Sequence, residues 1–259
     1  MHWGTTRLIS HPKMNGPLNM AIDEALSRTV VDGPPVLRFY GFAPPALSVG
    51  RFQSSQDSFL MDKLARDGID FVRRPTGGQA VLHDDELTYS FALARTHIDP
   101  FRKRRIYLFI SEILISALRF LGIASYWNPV REGEKANPDC FGTTGEYEIV
   151  SSSGKKLIGS AQSITRLSCL QHGSIPLRSS KKKLIGYLKE PRKADSRQSS
   201  SLEAELGRSV TLSEAKDAFR RSFSEQLALV SSTLSLQEER LAFELLKEKY
   251  MEEKWNFRL

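Results

Sequence analysis

Three short runs, PVLRFYGF (35–42), PALSVGRF (45–52) and IDFVRRP (69–75), constrain the fold more than any other feature of the chain. Each is rich in β-branched and aromatic residues and bounded by Gly or Pro, the pattern of strands set off by turns. Between the last two, QDSFLMDKLARDG (56–68) repeats its apolar residues at helical spacing, which predicts strands joined by a crossover helix.

Helices frame this unit. GPLNMAIDEALSRTVVDG (16–33) places Leu18, Ile22, Ala25, Leu26 and Val30 at helical intervals and closes on Gly33, a suitable C-terminal residue. RIYLFISEILISALRFLG (105–122) carries a stripe of Ile110, Ile113, Leu114, Ala117, Leu118 and Leu121 wide enough to bury against a sheet, with Gly122 at its end. From Tyr147 to Leu177 the pattern is strand, Ser/Gly turn and two hairpin strands. Residues 190–210 are polar and serine-rich, which predicts a loop or linker. TLSE (211–214) and SLQE (235–238) both fit the capping box, in which Ser or Thr and Glu satisfy each other's orphan amides, so two terminal helices follow. Strands mixed with segregated helices, and no internal repeat, predict an α+β fold.

A chain of 259 residues, 40% hydrophobic and 26% charged, has ordinary globular composition and can bury a substantial core. No run approaches the roughly 18 apolar residues of a membrane span. The start, MHWGTTRLISHPKMNG, lacks the basic and apolar regions of a secretory signal, so the cytoplasm is expected and no membrane is implied. Two cysteines, Cys140 and Cys169, are too few for a disulfide framework and offer no metal-ligand spacing. The net charge of +7 favours an acidic partner. Its dense stretches, FRKRR (101–105), SSKKKL (179–184) and KEPRKADSR (189–197), are not interleaved with stacking aromatics. An acidic protein is therefore a better expectation than nucleic acid.

The chemistry-bearing stretch is RRPTGGQAVLHDDELTYS (73–90). Proline fixes one backbone angle, and the glycines allow a tight bend whose amides can approach a polar ligand, with two arginines supplying charge at the rim. A strand-to-strand turn explains Pro-Thr-Gly-Gly equally well but gives no reason for the arginines. On the residues alone the two readings stand even. His83, on a strand with Val81 and Leu82, is by itself more often a satisfied core or rim residue than a catalyst, and no second metal ligand sits at a familiar spacing.

This stretch, with LNMAIDEAL (18–26), LRFYGFAPPALSVGRFQ (37–53), GKKLIGSAQ (154–162), QHGSIPL (171–177) and KWNF (254–257), resembles the lipoate-protein ligase A and LipM-type octanoyltransferase family. The matches keep the family's order and cover most of the chain. The resemblance implies the biotin and lipoate protein ligase fold, a mixed, largely antiparallel sheet flanked by helices, with an acyl-chain tunnel. It divides the chain into a catalytic domain (1–190), a polar linker (191–210) and a C-terminal helical extension packed on that domain (211–259). It places Arg74, Gly77, Gly78 and His83 beside the acyl group, with Gly159, Ser160, Ala161 and His172 as further substrate contacts.

The family's lysine corresponds to Lys156, leaving Lys155 at the surface; its ammonium would polarise the acyl carbonyl. The transferase's nucleophile corresponds to Cys140 in NPDCFGTTGEYEIV (137–150), although GTTGE replaces the family's usual residues after Phe141. A thiolate near Lys156 exchanges readily with a carrier thioester. Cys169, in TRLSCLQHG, suits a small apolar packing role instead.

The implied activity moves an octanoyl group from acyl carrier protein, through a Cys140 thioester, to a lysine of a lipoyl domain such as that of glycine cleavage H protein or a 2-oxoacid dehydrogenase E2. It needs no cofactor and no metal. Three alternatives stand beside it: an ATP-dependent lipoate-protein ligase, a lipoyl-domain amidotransferase, and a non-catalytic homologue.

Overall fold

In the computed structural model the described residues are 4–55, 58–127, 148–180, 183–190 and 199–258. Eight strands form the main sheet: β1 (Thr5–Met14), β2 (Val36–Phe42), β6 (Glu86–Ala94), β7 (Ser125–Trp127), β8 (Ile149–Ser151), β9 (Lys156–Ile164), β10 (Ser168–Pro176) and β11 (Ala228–Ser232). Their order is β11-β1-β2-β6-β10-β9-β8-β7. The β11, β1 and β2 pairings are parallel and the rest antiparallel. A smaller sheet places β3 (Ala46–Val49) between β4 (Asp70–Arg73) and β5 (Val81–His83).

The alternation of strand side chains divides the interior in two. On one face of the main sheet, Leu37 and Phe39 of β2 and Leu87, Tyr89, Phe91 and Leu93 of β6 pack against α3 (Lys103–Phe120) and α5 (Leu212–Gln226). The predicted α3 stripe is the face that does this: Ile110, Ile113, Leu114, Ala117 and Leu118 are buried. On the other face, Val36, Tyr40, Ala92 and Ala94 meet α1 (Gly16–Thr29) and α6 (Leu236–Leu245). Asn15 caps α1 by accepting from the Leu18 amide, with Pro17 in the first turn. The crossover helix is α2 (Met61–Arg66), and the architecture is α+β as expected.

Two segments depart from the sequence expectation. The polar stretch 190–210 contains a helix, α4 (Leu202–Leu206), capped by Ser201 and ended by Gly207 at φ 65°, with Leu202 fully buried. Hydrophobic periodicity missed it because five residues, LEAEL, are too short to display a helical repeat. The two terminal helices, α5 and α6, are present, capped by Thr211 and by a Ser235–Glu238 capping box, but β11 lies between them. Val230 in β11 is 53% exposed, so this edge strand is held by pairing with β1 and carries no alternation to read. After α6 a single π-helical turn (246–250) leads into α7 (Glu253–Asn256). Among the described residues no helix is long and apolar enough to cross a membrane.

Candidate acyl site

The two arginines of the glycine-rich loop have different surroundings, and neither offers an open charge at the rim. Arg73 is 0% exposed. Its guanidinium donates to the carbonyls of Gly50 (2.8 Å), Gln53 (2.6 Å) and Asn256 (3.0 Å) and to Ser55 Oγ (3.0 Å). A buried guanidinium requires such partners to offset lost hydration, and here they come from two loops and the C-terminal helix. Arg73 is therefore a structural tie. Arg74 does face the ligand side, but most of its donors are turned onto the loop: to Ser48 O (3.1 Å), Gly77 O (2.7 Å) and Gln79 O (2.7 Å).

This binding of carbonyls by guanidinium curls the loop and requires glycine where backbones meet. Gly78 has φ +91°, a left-handed conformation that side chains rarely adopt. A Cβ on Gly50 would lie 1.8 Å from Gly78 O. Gly50→Ala is therefore expected to push the two loops apart. We expect a loss of about 1–3 kcal/mol in chemical denaturation from the overpacking, together with weaker acyl binding.

The loop closes over a narrow cavity between the two sheets. Arg74, His83, Gly159, Ser160, Ala161 and His172 all line it, joined by Met20, Tyr40 and Ser48. Gly77 and Gly78 do not: they shape the loop behind Arg74 rather than face the space. The strand register explains the convergence, since His172 lies opposite both Ser90 and Ala161 and Gly173 opposite Ser160. Gly173 is needed for thickness, because a Cβ there would sit 2.6 Å from Tyr89 and 2.7 Å from Ser160 Oγ. Apolar Met20, Val81 and Ala161 beside a few hydroxyls suit an aliphatic chain with one polar end.

Both histidines are held by carboxylates that the sequence reading did not single out. His172 is bonded through Nδ1 to Asp23 Oδ2 (3.0 Å) and through Nε2 to Thr76 Oγ1 (2.7 Å), tying the loop to the main sheet. Burial would push the Asp23 carboxyl up, but Arg38 at 2.7 Å, with hydrogen bonds from His172 and Tyr40, brings it down to about 2. Burial also lowers the His172 imidazole, against the opposing pull of Asp23. His83 is bonded through Nδ1 to Glu86 Oε1 (2.7 Å) and through Nε2 to Ser48 Oγ (2.8 Å), and its ring stacks on Phe42 at 4.1 Å. Asp23 in α1 is 149 residues from its histidine and Glu86 in β6 three residues from its own, and only the fold brings each carboxylate onto an imidazole.

Lys156 opens β9 and is 0% exposed, while Lys155 is exposed as expected. The Lys156 ammonium is paired with Glu148, and Lys156 is not among the side chains lining the cavity; it begins the strand that supplies Gly159 to Ala161. Cys140 lies outside the described residues. Cys169 is fully buried in the core beneath α3, where burial pushes its thiol up to about 12, so it is no nucleophile.

Similarity to known proteins follows the same residues. Residues 15–224 match the Lipoyl protein ligase A/B catalytic domain. The Octanoyltransferase LipM of Anoxybacillus flavithermus is 37% identical over 272 residues, spanning 97% of this chain and 98% of that protein. The structure of a lipoate-protein ligase A bound with ATP is 26% identical with a TM-score of 0.84, covering 98% of this chain and 99% of that one. That of a bipartite lipoate protein ligase from Thermoplasma acidophilum, studied with its E2 lipoyl domain, is 27% identical with a TM-score of 0.79, covering 98% and 96%. Because the matched span runs from the N-cap of α1 into the last turn of α5, and so takes in every strand that walls the cavity, the chain belongs to the lipoyl protein ligase A/B catalytic-domain family.

Proposed function

We propose that the protein is an octanoyltransferase that takes an octanoyl group from acyl carrier protein onto Cys140 and passes it to the ε-amine of a lipoyl-domain lysine. The observation that carries this reading is the near full-length likeness to an Octanoyltransferase LipM. The site supports it: a narrow cavity with mostly apolar exposed surface suits an aliphatic group, and burial of Cys169 leaves Cys140, of the two cysteines in the chain, to serve as nucleophile. Thioester exchange between two thiols is nearly neutral in energy and splits the transfer into two accessible steps. The family's role for Lys156, polarising the acyl carbonyl and stabilising the oxyanion, requires its ammonium to turn from Glu148 toward the acyl group, because the pair lies outside the cavity lining. The net charge of +7 suits acidic carrier and lipoyl domains.

The likeness to an ATP-bound lipoate-protein ligase A supports a second reading, in which ATP activates a free acid. Intact mass separates the two. Incubated with octanoyl-acyl carrier protein and no ATP, the protein is expected to gain one octanoyl group and lose it when a lipoyl domain is added. Lipoyl-AMP formation from free lipoate and ATP, without carrier-dependent acylation, would replace the transferase reading by the ligase. The carrier-dependent rate is further expected to fall roughly tenfold or more between low and high salt, as steering of an acidic partner is screened.

A further inference from the structure

Phe52, on the loop after β3, is 76% exposed, and the Arg51 guanidinium stands over its ring at 5.5 Å. A single exposed phenylalanine is ordinary on a protein surface. Position distinguishes this one. The Arg51 amide donates to Thr76 O (2.8 Å), and the Thr76 hydroxyl is bonded to cavity-lining His172 (2.7 Å). The loop that presents Phe52 is thus joined to the glycine-rich loop and, through Thr76, to the wall of the cavity.

A second arginine reaches the same place from beyond α7. Arg258 lies over the Trp255 ring at 3.9 Å and donates to Arg51 O (2.7 Å), so its guanidinium is held in position before any partner arrives. Less side-chain freedom then remains to be lost on binding. Burial lowers the Arg258 guanidinium, and the charge of Arg51 lowers it further. Glu248, Glu252 and Glu253 line a groove with Arg258 and Trp255, yet among the described residues no carboxylate comes within ion-pair distance of Arg51 or Arg258. Two like charges gathered beside an exposed aromatic repel each other until an acidic surface meets them.

Resting on the acyl-transfer reading above, we propose that Arg51, Phe52 and Arg258 form the docking face for the acidic lipoyl domain. The lipoyl domain is the acceptor in both the transferase and the ligase readings, whereas acyl carrier protein serves only the first. Reach also favours it: a lysine side chain is four carbons long, so its domain must dock beside the acyl site, while a carrier delivers its acyl group on a long flexible arm. An aromatic anchor flanked by arginines has the composition of an interface hot spot, Phe52 supplying apolar area and the guanidiniums pairing with carboxylates. The densest basic run, 102–105, leads into α3, which packs on the face of the main sheet away from α1 and cavity-lining Met20, and it provides the comparison.

The test measures the dissociation constant of an unmodified lipoyl domain by calorimetry, with no acyl donor present, and its KM as acceptor in carrier-dependent transfer. Phe52→Ala and Arg51→Glu are each expected to weaken binding about tenfold and to raise KM in proportion. Arg102→Glu makes the same change of charge and is expected to stay within about twofold of wild type. All three side chains are exposed, so the substitutions leave the core untouched. Wild-type affinity and KM in both Phe52→Ala and Arg51→Glu would overturn the docking face, as would equal weakening by Arg102→Glu, which marks general attraction to a basic protein. Loss of octanoyl uptake from acyl carrier protein in the first two variants, with full affinity for the lipoyl domain, would also overturn it by giving the face to the carrier. A wild type that binds the lipoyl domain but acylates it neither from carrier nor with ATP would instead overturn the function proposed above, a failure read in the transfer and not in the binding.

Discussion

Cys140→Ala is expected to abolish acyl transfer, with a loss of at least about 10³-fold, as for removal of other covalent nucleophiles. The octanoyl mass increment should vanish with it. The control is Cys169→Ala. Cys169 is packed in the core with Leu93 and Ile164 opposite it, and its thiol is raised to about 12, so replacement removes only a small buried group. That variant should lose about 1 kcal/mol of stability, the ordinary effect of a point substitution, and keep its activity. A thiol reagent at neutral pH should accordingly modify one residue of the native protein, at Cys140. If Cys140→Ala still transferred octanoate, or Cys169 reacted first, the assignment of the nucleophile would be reversed.

Lys156→Met is the second large effect, and it separates catalysis from folding. The ammonium is buried against Glu148, so removing it takes the ion-pair partner from a buried carboxylate. Breaking a buried pair by deleting one member costs about 3–5 kcal/mol, read as a lower midpoint in chemical denaturation. Transfer should fall about 10²-fold or more from the lost oxyanion stabilisation. Combining Lys156→Met with Glu148→Gln removes the buried charge and should recover most of the stability while leaving the enzyme slow. Recovery of activity along with stability would show that Lys156 acts only through the fold.

Much of the fold was legible because its signals are local. The α1 and α3 stripes, the Gly- and Pro-bounded strands and the Ser235–Glu238 box each lie within a short window, and each formed where expected. What escaped depends on partners distant in sequence. The β11 strand exists because β1 offers an edge to pair with, and α4 is one capped turn anchored by Leu202. The candidate site divides similarly. Arg74, His83, Gly159, Ser160, Ala161 and His172 were named from the chain and converge on one cavity, but Asp23, Glu86, Ser48 and Glu148 acquire meaning only opposite the groups they hold.

Arg73 and Arg74 give the clearest division between the two levels. Residues 69–83 alone place an arginine pair, a proline and two glycines at the end of one strand and His83 on the next. Tertiary structure decided that Arg73 ties the loop to Asn256 while Arg74 bends it over the cavity, because a guanidinium excluded from water must spend its donors on whichever carbonyls surround it, and those come from residues 48–53, 77–79 and 255–256.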